Sequence, residues 1–235
     1  LAVTIGIDPG HGGKDPGAVG QFLGLEEKYV TLDVGLKLHE LLRQRGLATV
    51  LTRSSDQYLT LEERATVLNE SVVDLVLSLH VNSAANSAAR YVSAHVFQLG
   101  GKAERAAAQL VEVVIQATGW ASGGVKANNF YMLRETTAPA VLLEMGFVSN
   151  EEQERLLNRS ETRDLLARSL ADGVTRIYGL EPPGDELQGH WAAEAIKTVI
   201  DQGLMHGYPD GSFQPEKPVS RAELAVVLVR LLEMN

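Results

Sequence analysis

The 235-residue chain has no cysteine. A disulfide framework, a cysteine-type zinc site and a thiol nucleophile are therefore excluded. No apolar run approaches the ~18 residues a membrane-spanning helix needs, which argues against an integral membrane protein. Positive charge is also scarce: 21 Lys and Arg against 30 Asp and Glu give a net charge of −9. Such a chain lacks the basic patches that grip a phosphate backbone, so no nucleic-acid partner is expected. The first residues lack the basic segment and apolar stretch of an export leader. Leu1 in place of Met implies that a leader was removed or that the chain was trimmed. Internal repeats and low-complexity stretches are missing too. What is present is an ordinary globular composition, 45% hydrophobic and 22% charged. The length suits one large domain, or one domain and a small module, with a core that needs no covalent staple.

Strand-like and helix-like segments alternate over the first 180 residues. Ala2–Asp8 reads as a short buried strand, broken by Pro9-Gly10-His11-Gly12-Gly13. Glu26–Gln44 has helical periodicity and stops at Gly46, and Ala48–Arg53 reads as a strand. Leu61–Asn69 reads as a helix capped by Thr60, with Glu63 completing a capping box. Asp74–Val81 and Tyr91–Leu99 read as strands, Lys102–Thr118 as a helix, and Phe130–Arg134 and Ala140–Met145 as strands. Helices follow at Asn150–Leu157 and Glu161–Tyr178. This alternation predicts an α/β fold: a mixed, mostly parallel sheet with helices on both faces. Composition shifts at Gly179–Gly189, where Pro182-Pro183-Gly184 marks a linker. A helix is expected at Trp191–Gln202, a turn region at Gly203–Pro218 and a second helix from Ser220. We therefore expect a larger α/β domain over 1–180 and a small helical C-terminal module over 185–235. Residues 1–180 carry 17 − 21 = −4 and residues 181–235 carry 4 − 9 = −5, so the module is far more acidic per residue. It is too short for a strong core of its own and must dock or self-associate.

Four residues have chemistry out of keeping with their surroundings. His11 follows the first strand inside a glycine-rich turn, and His80 ends the strand Ser78-Leu79-His80-Val81-Asn82. Ligand sites in open α/β sheets lie off the carboxyl ends of the strands, where two imidazoles can converge. Each could equally be an isolated loop or strand-end residue. From Glu27, helical spacing reaches Val30, Val34, Leu38 and Leu41, the apolar face. From Glu26 it reaches Asp33, Lys37, Glu40 and Gln44, the solvated face. Glu27 is thus a carboxylate at the buried face, answering either a metal or the helix dipole. Glu144 interrupts the apolar run Ala140–Phe147. It fits a general base of raised pKa, or a partner of Arg64 or Arg134. Two His, one Glu ligand and a separate Glu base make the layout of a catalytic zinc hydrolase.

The ordered blocks Ile7-Asp8-Pro9-Gly10-His11-Gly12-Gly13-Lys14-Asp15-Pro16-Gly17-Ala18, Glu27-Lys28, Thr52-Arg53, Leu61-Glu62-Glu63-Arg64, Ser78-Leu79-His80-Val81-Asn82 and Glu144-Met145-Gly146-Phe147-Val148-Ser149-Asn150 resemble the zinc-dependent N-acetylmuramoyl-L-alanine amidases of the Amidase_3 family. The resemblance covers roughly residues 1–180. It implies one Zn2+ per chain on His11, Glu27 and His80, with Glu144 catalytic. Asn82 and Arg64 are candidate supports for site geometry, and Gly123–Arg134 is expected to border a stem-peptide groove. His95 stands where the family commonly has Glu, and a surface exchange is expected there rather than an altered substrate contact.

In the tail, Gly189-His190-Trp191-Ala192, Ala195-Ile196, Gly203–Pro215 and Val219-Ser220-Arg221-Ala222-Glu223 resemble one surface-layer homology (SLH) module. That resemblance implies cell-wall polymer binding near Trp191 and Arg221, although Arg221 could instead pair with Glu223. Such modules usually act in threes, so self-association through the tail, most simply as a trimer, is expected. The two resemblances together imply a secreted cell-wall enzyme that cuts peptidoglycan between N-acetylmuramic acid and L-alanine. An inactive wall-binding protein and a zinc peptidase acting on the stem peptide are the alternatives.

Overall fold

A computed structural model describes residues 3–180, 186–187, 189–208 and 212–233. The Pro182-Pro183-Gly184 linker and Pro209-Asp210-Gly211 within the expected turn region lie outside the described residues. The chain divides into two compact units, Leu1–Leu180 and Glu181–Asn235.

The first unit is built on a sheet of β1 (Thr4–Pro9), β2 (Ala48–Leu51), β3 (Leu75–Asn82), β4 (Tyr91–Val96), β5 (Ala121–Ala127) and β6 (Ala140–Phe147), in the order β2-β1-β3-β6-β4-β5. β2, β1, β3 and β6 run parallel, whereas β4 is antiparallel to β6 and parallel to β5. The helices are α1 (Glu27–Gln44), α2 (Leu61–Glu70), α3 (Lys102–Thr118), α4 (Tyr131–Glu135), α5 (Glu151–Leu157) and α6 (Ser160–Ile177). The Thr60–Glu63 capping box starts α2: Glu63 N–H donates to Thr60 Oγ1 at 3.2 Å and Thr60 N–H to the Glu63 carboxylate at 2.7 Å.

Side chains alternate across the strands, and the two sheet faces differ. Ile5, Ile7, Leu75, Leu77, Leu79, Val141, Leu143, Val92 and Ala94 join α1, α3 and α6 in the main core. On the opposite face Val76 and Leu142 pack with Leu68, Met132 and Leu133 of α2 and α4. Farther along the strands that second face turns polar, with Asp8, Ser78, His80, Glu144, Ser93 and His95. The sheet therefore carries its chemistry on one side of one end.

Two segments differ from the sequence reading. Phe130–Arg134, expected as a strand, is largely the helical turn α4. Its apolar residues do not alternate, and the turn buries the adjacent Met132 and Leu133 together. The sixth strand is instead β5, a glycine-rich edge strand whose ASGGVKA sequence has little β propensity of its own. It forms because β4 offers it a ladder.

The second unit contains α7 (Ala193–Asp201) and α8 (Arg221–Glu233). Ser220 caps α8: its hydroxyl accepts the Glu223 N–H at 3.2 Å and the Glu223 carboxylate accepts the Ser220 N–H at 2.7 Å. Arg230 donates to the carbonyl of Leu204 at 3.1 Å.

Candidate metal centre and hydrolytic site

The loop after β1 places the first imidazole. Gly10 N–H donates to the Leu79 carbonyl at 3.0 Å, which lays the loop over the end of β3. A Cβ on Gly10 would fall 2.4 Å from the His80 ring, so glycine leaves that ring its space. His11 has φ 62°, a left-handed conformation costly for a residue with a side chain. Two buried arginines hold it there. Arg53 donates to the carbonyls of Pro9 (2.8 Å), Gly10 (2.9 Å) and Lys28 (2.9 Å). Arg64 donates to Pro9 O (2.7 Å), His11 O (2.5 Å) and the Asp8 carboxylate (2.9 Å). Asp8 also accepts the hydroxyls of Thr52 (2.7 Å) and Ser78 (2.8 Å). Burial alone would raise the Asp8 carboxyl, but the Arg64 charge and these hydrogen bonds hold it below its usual range. Burial lowers the Arg53 guanidinium to about 10.

Glu27 begins α1 and is buried, whereas Glu26 occupies the helix N-cap position and pairs with Lys28 at 3.3 Å. Both Glu27 oxygens are fixed: Ala18 N–H donates to Oε2 and Val81 N–H to Oε1, each at 2.8 Å. His11 Nε2 lies 3.2 Å from Oε2, and His80 Nδ1 lies 3.0 Å from Oε1. The His11 and His80 rings meet edge-on, with centroids 5.0 Å apart. Asp15 orients His11 through Nδ1 at 2.9 Å. Burial raises the Glu27 carboxyl, but the hydrogen bonds and charges of His11 and His80 outweigh it and hold the group well below the usual carboxylate range. Burial works against protonation of His11, yet Glu27 and Asp15 lift it to about 9. His80 is raised for the same reason, chiefly by Glu27.

One donor atom from each of His11, Glu27 and His80 lies within 4.8 Å of the others, so the three could hold a metal ion. Two imidazoles and one carboxylate fit a borderline cation such as zinc and leave a fourth position open. Asp15 behind His11 supplies the outer carboxylate that such ligands commonly have.

Glu144 sits beside this group, directly in register with His80 across the β3–β6 pair. Its Oε2 is buried and has no hydrogen-bond partner among the described residues. Burial raises its carboxyl to about 7, with the positive charge of His80 opposing that rise and Glu27 adding to it. The alternative pairing with Arg64 or Arg134 is not made: Arg64 pairs with Asp8, and Arg134 pairs with Glu135 at 2.7 Å. The Asn82 side chain accepts the neighbouring Ser83 N–H at 2.8 Å, and its backbone carbonyl accepts from Val148. Contrary to the expected surface exchange, His95 is only 8% exposed. It bonds Asn128, and its ring meets Phe130 with centroids 5.4 Å apart.

In the second unit Trp191 is 89% exposed and stacks on His190. Arg221 is exposed and opens α8, and the Glu223 carboxylate accepts the Ser220 N–H.

Asp8 was legible only as part of a motif, although a lone carboxylate inside a buried strand is itself a signal. Glu154 gave no comparable cue. It is fully buried and accepts three backbone N–H groups, of Phe22, Leu23 and Leu25, thereby holding the loop that leads to Glu27.

Residues 5–176 match the N-acetylmuramoyl-L-alanine amidase family, and residues 187–225 match the S-layer homology domain. The sporulation-specific N-acetylmuramoyl-L-alanine amidase of Bacillus subtilis is 37% identical over 182 residues, covering 76% of this chain and 69% of that protein. The catalytic domain of CwlV, an N-acetylmuramoyl-L-alanine amidase from Bacillus (Paenibacillus) polymyxa var. colistinus, superposes with a TM-score of 0.72 at 34% identity, covering 76% of this chain and 99% of that one. An N-acetylmuramoyl-L-alanine amidase from Clostridium difficile 630 gives a TM-score of 0.73 at 29% identity, covering 76% and 97%. The chain belongs to the N-acetylmuramoyl-L-alanine amidase family. It is a cell-wall amidase whose S-layer homology domain implies association with the cell surface.

Proposed function

We propose that His11, Glu27 and His80 hold one zinc ion and that Glu144 is the proton-transfer residue for hydrolysis of the amide between the lactyl group of N-acetylmuramic acid and L-alanine in peptidoglycan. The observation that carries this reading is the convergence of the three donors within 4.8 Å, with the unpartnered Glu144 in register beside His80. A zinc ion there supplies Lewis acidity toward water and toward the amide carbonyl. Glu144 Oε2 accepts a proton from the attacking water and returns it to the leaving amine of L-alanine. The low dielectric around it favours the neutral acid after that first transfer. Glu27 keeps its orientation through the Ala18 and Val81 N–H groups, and His11 through Asp15. Arg53 and Arg64 position the His11 loop by its carbonyls and touch no reacting atom. Asn82 has no such role in this reading.

The test is mass spectrometry of peptidoglycan digested by the metal-analysed protein. Free L-alanine amino ends with intact lactyl groups, from protein carrying one zinc per chain, are the expected result. New amino ends inside the stem peptide would make it a peptidase, and no new ends would make it an inactive wall-binding protein.

The chain acts at the wall after export. Its second unit binds a wall polymer, with the exposed Trp191 offering a flat ring for a sugar face and Arg221 a cation for an anionic group. Exposed apolar side chains along α8, among them Leu224, Val226, Leu228, Val229 and Leu232, support self-association through the tail, with three copies completing the set.

A further inference from the structure

The polar sheet face extends beyond Glu144 toward the β5 edge. Glu144 pairs in register with Ser93, and Ser93 with Gly124; two residues along β4, His95 pairs with Lys126. A bulge sets this arrangement. The register shifts between Val92 and Ser93, and Gly124 takes φ 70°. Beyond the bulge Val125 packs on the main core beside Ala94, and Lys126 falls on the face of His95 and Glu144. Without the extra residue the two would exchange faces, because side-chain direction alternates along a strand.

Lys126 is a cation with no carboxylate partner among the described residues, in a chain of net charge −9. Its Nζ lies 5.3 Å from the centroid of the Tyr91 ring. The Asn128 amide donates to His95 Nδ1 at 2.5 Å, which leaves the ring proton on Nε2. That Nε2–H has no hydrogen-bond partner among the described residues. Ser93 Oγ, between this pair and Glu144, is buried and also unpartnered. A row of polar groups with no hydrogen-bond partner among the described residues thus runs from Glu144 toward the Lys126 ammonium, which rests on the Tyr91 ring.

Ordinary strand and residue spacings put the Lys126 Cα about 12 Å from that of Glu144, two strands across and two residues along. Two extended residues of a substrate peptide cover about 7 Å, and the lysine side chain spans the rest. In a muropeptide the lactyl carboxyl is consumed in the scissile amide and the N-acetylated sugars are neutral. An anionic partner for Lys126 can come only from the peptide. We propose that Lys126, together with the Nε2–H of His95, forms a subsite for a carboxylate on the second residue of the stem peptide, on the leaving side of the amide. This rests on the amidase reading above. Lys126 sets specificity, and Asn128 is a positioning residue acting through His95.

The test compares two disaccharide tripeptides, one with the second stem residue as free D-glutamate and the other with that carboxylate amidated. Wild-type protein should show kcat/KM about tenfold higher for the free acid, the scale of one charge-assisted hydrogen bond. The difference should lie mainly in KM. Lys126→Met should bring the ratio close to one, Lys126→Arg should keep it, and Lys126→Glu should invert it. Equal wild-type rates on the two substrates, or a ratio that survives Lys126→Met, would overturn the subsite and leave the amidase reading intact. Release of neither peptide by zinc-loaded wild-type protein would instead break the amidase reading and this inference with it.

Discussion

The two units of the chain treat apolar side chains in opposite ways. Residues 1–180 close two clusters around the sheet, with Ile5, Ile7, Leu38 and Leu79 fully buried. In the second unit Ile196 and Leu204 are the buried hydrophobics among the described residues, while α8 exposes Leu228, Val229 and Leu232. The same contrast holds for polar groups. The first unit buries Asp8, Glu27, Arg53 and Arg64, and its core is large enough to hold each against a named partner. A unit of some fifty residues has too little interior for this. The difference teaches that a buried polar site needs a core large enough to partner each charge, whereas the tail leaves apolar side chains of α8 exposed.

The strongest way to break that comparison is to separate the units. Every residue of the proposed site lies before position 180, so residues 1–180 alone should stay folded and cleave soluble muropeptides. Whole-wall binding should fall. Within that unit, Glu144→Gln should keep the metal and the melting temperature but lower kcat by about 10²–10⁴, as loss of a general base does. His11→Ala, Glu27→Ala and His80→Ala should each lose most of the metal, read by elemental analysis, while Glu26→Ala should retain it. Zinc lost from Glu26→Ala but kept by Glu27→Ala would reverse the assignment of the two adjacent carboxylates.

Next in size is the buried charge network. Arg64→Ala leaves Asp8 charged and buried beside two hydroxyls, which should cost about 3–5 kcal/mol in denaturant unfolding. The groups facing Asp8 are Arg64 from α2, Thr52 from the end of β2 and Ser78 from β3, with Arg53 behind them. The folded-state pKa of Asp8 lies below its ordinary 3.8. Its stabilisation is therefore complete above that value and is lost as pH falls through the folded-state value. Asp8→Asn should lower stability at neutral pH and flatten the acid limb of the stability profile. An unchanged limb would mean that other carboxylates set it.

The tail sharpens the comparison from the other side. Sedimentation of the full chain should show concentration-dependent association that residues 1–180 alone lack, and Leu228→Glu with Val229→Glu should abolish it. Full-length protein that stays monomeric at high concentration would remove self-association as the fate of α8.

Legibility in the sequence followed the same divide. Where pattern is local, as in the Thr60–Glu63 capping box or the α1 face that separates Glu27 from Glu26, residue spacing was enough to find it. The polar ends of β3 and β6 could be read because His80 and Glu144 interrupt apolar strands, whereas Asp8 was carried only within a motif. What escaped depends on partners distant in sequence. β5 is a strand because β4 pairs with it, α4 is helical because it buries Met132 with Leu133, and His95 is buried because Asn128 and Phe130 close over it. The hold of Arg53 on four backbone carbonyls, of Pro9, Gly10, Lys28 and Ser55, is likewise invisible until the chain folds.

The smallest effect separates strain that serves the site from strain that does not. His11 and Val72 both adopt left-handed backbone, at φ 62° and 51°. His11 is clasped by Arg64 and faces Glu27, so its strain is held by its surroundings and places an imidazole. Val72 is 81% exposed in the turn after α2, where a β-branched side chain gains no burial in return. Left-handed backbone costs an ordinary residue about 1–2 kcal/mol, and asparagine tolerates it better. Val72→Asn should therefore raise stability by about 1 kcal/mol with turnover unaltered, read as a higher denaturant midpoint at constant slope. Val72→Gly should gain less, because glycine also adds freedom to the unfolded chain. A midpoint that falls in both variants would show that Val72 makes a stabilising contact outweighing its backbone strain, and the contrast with His11 would not hold.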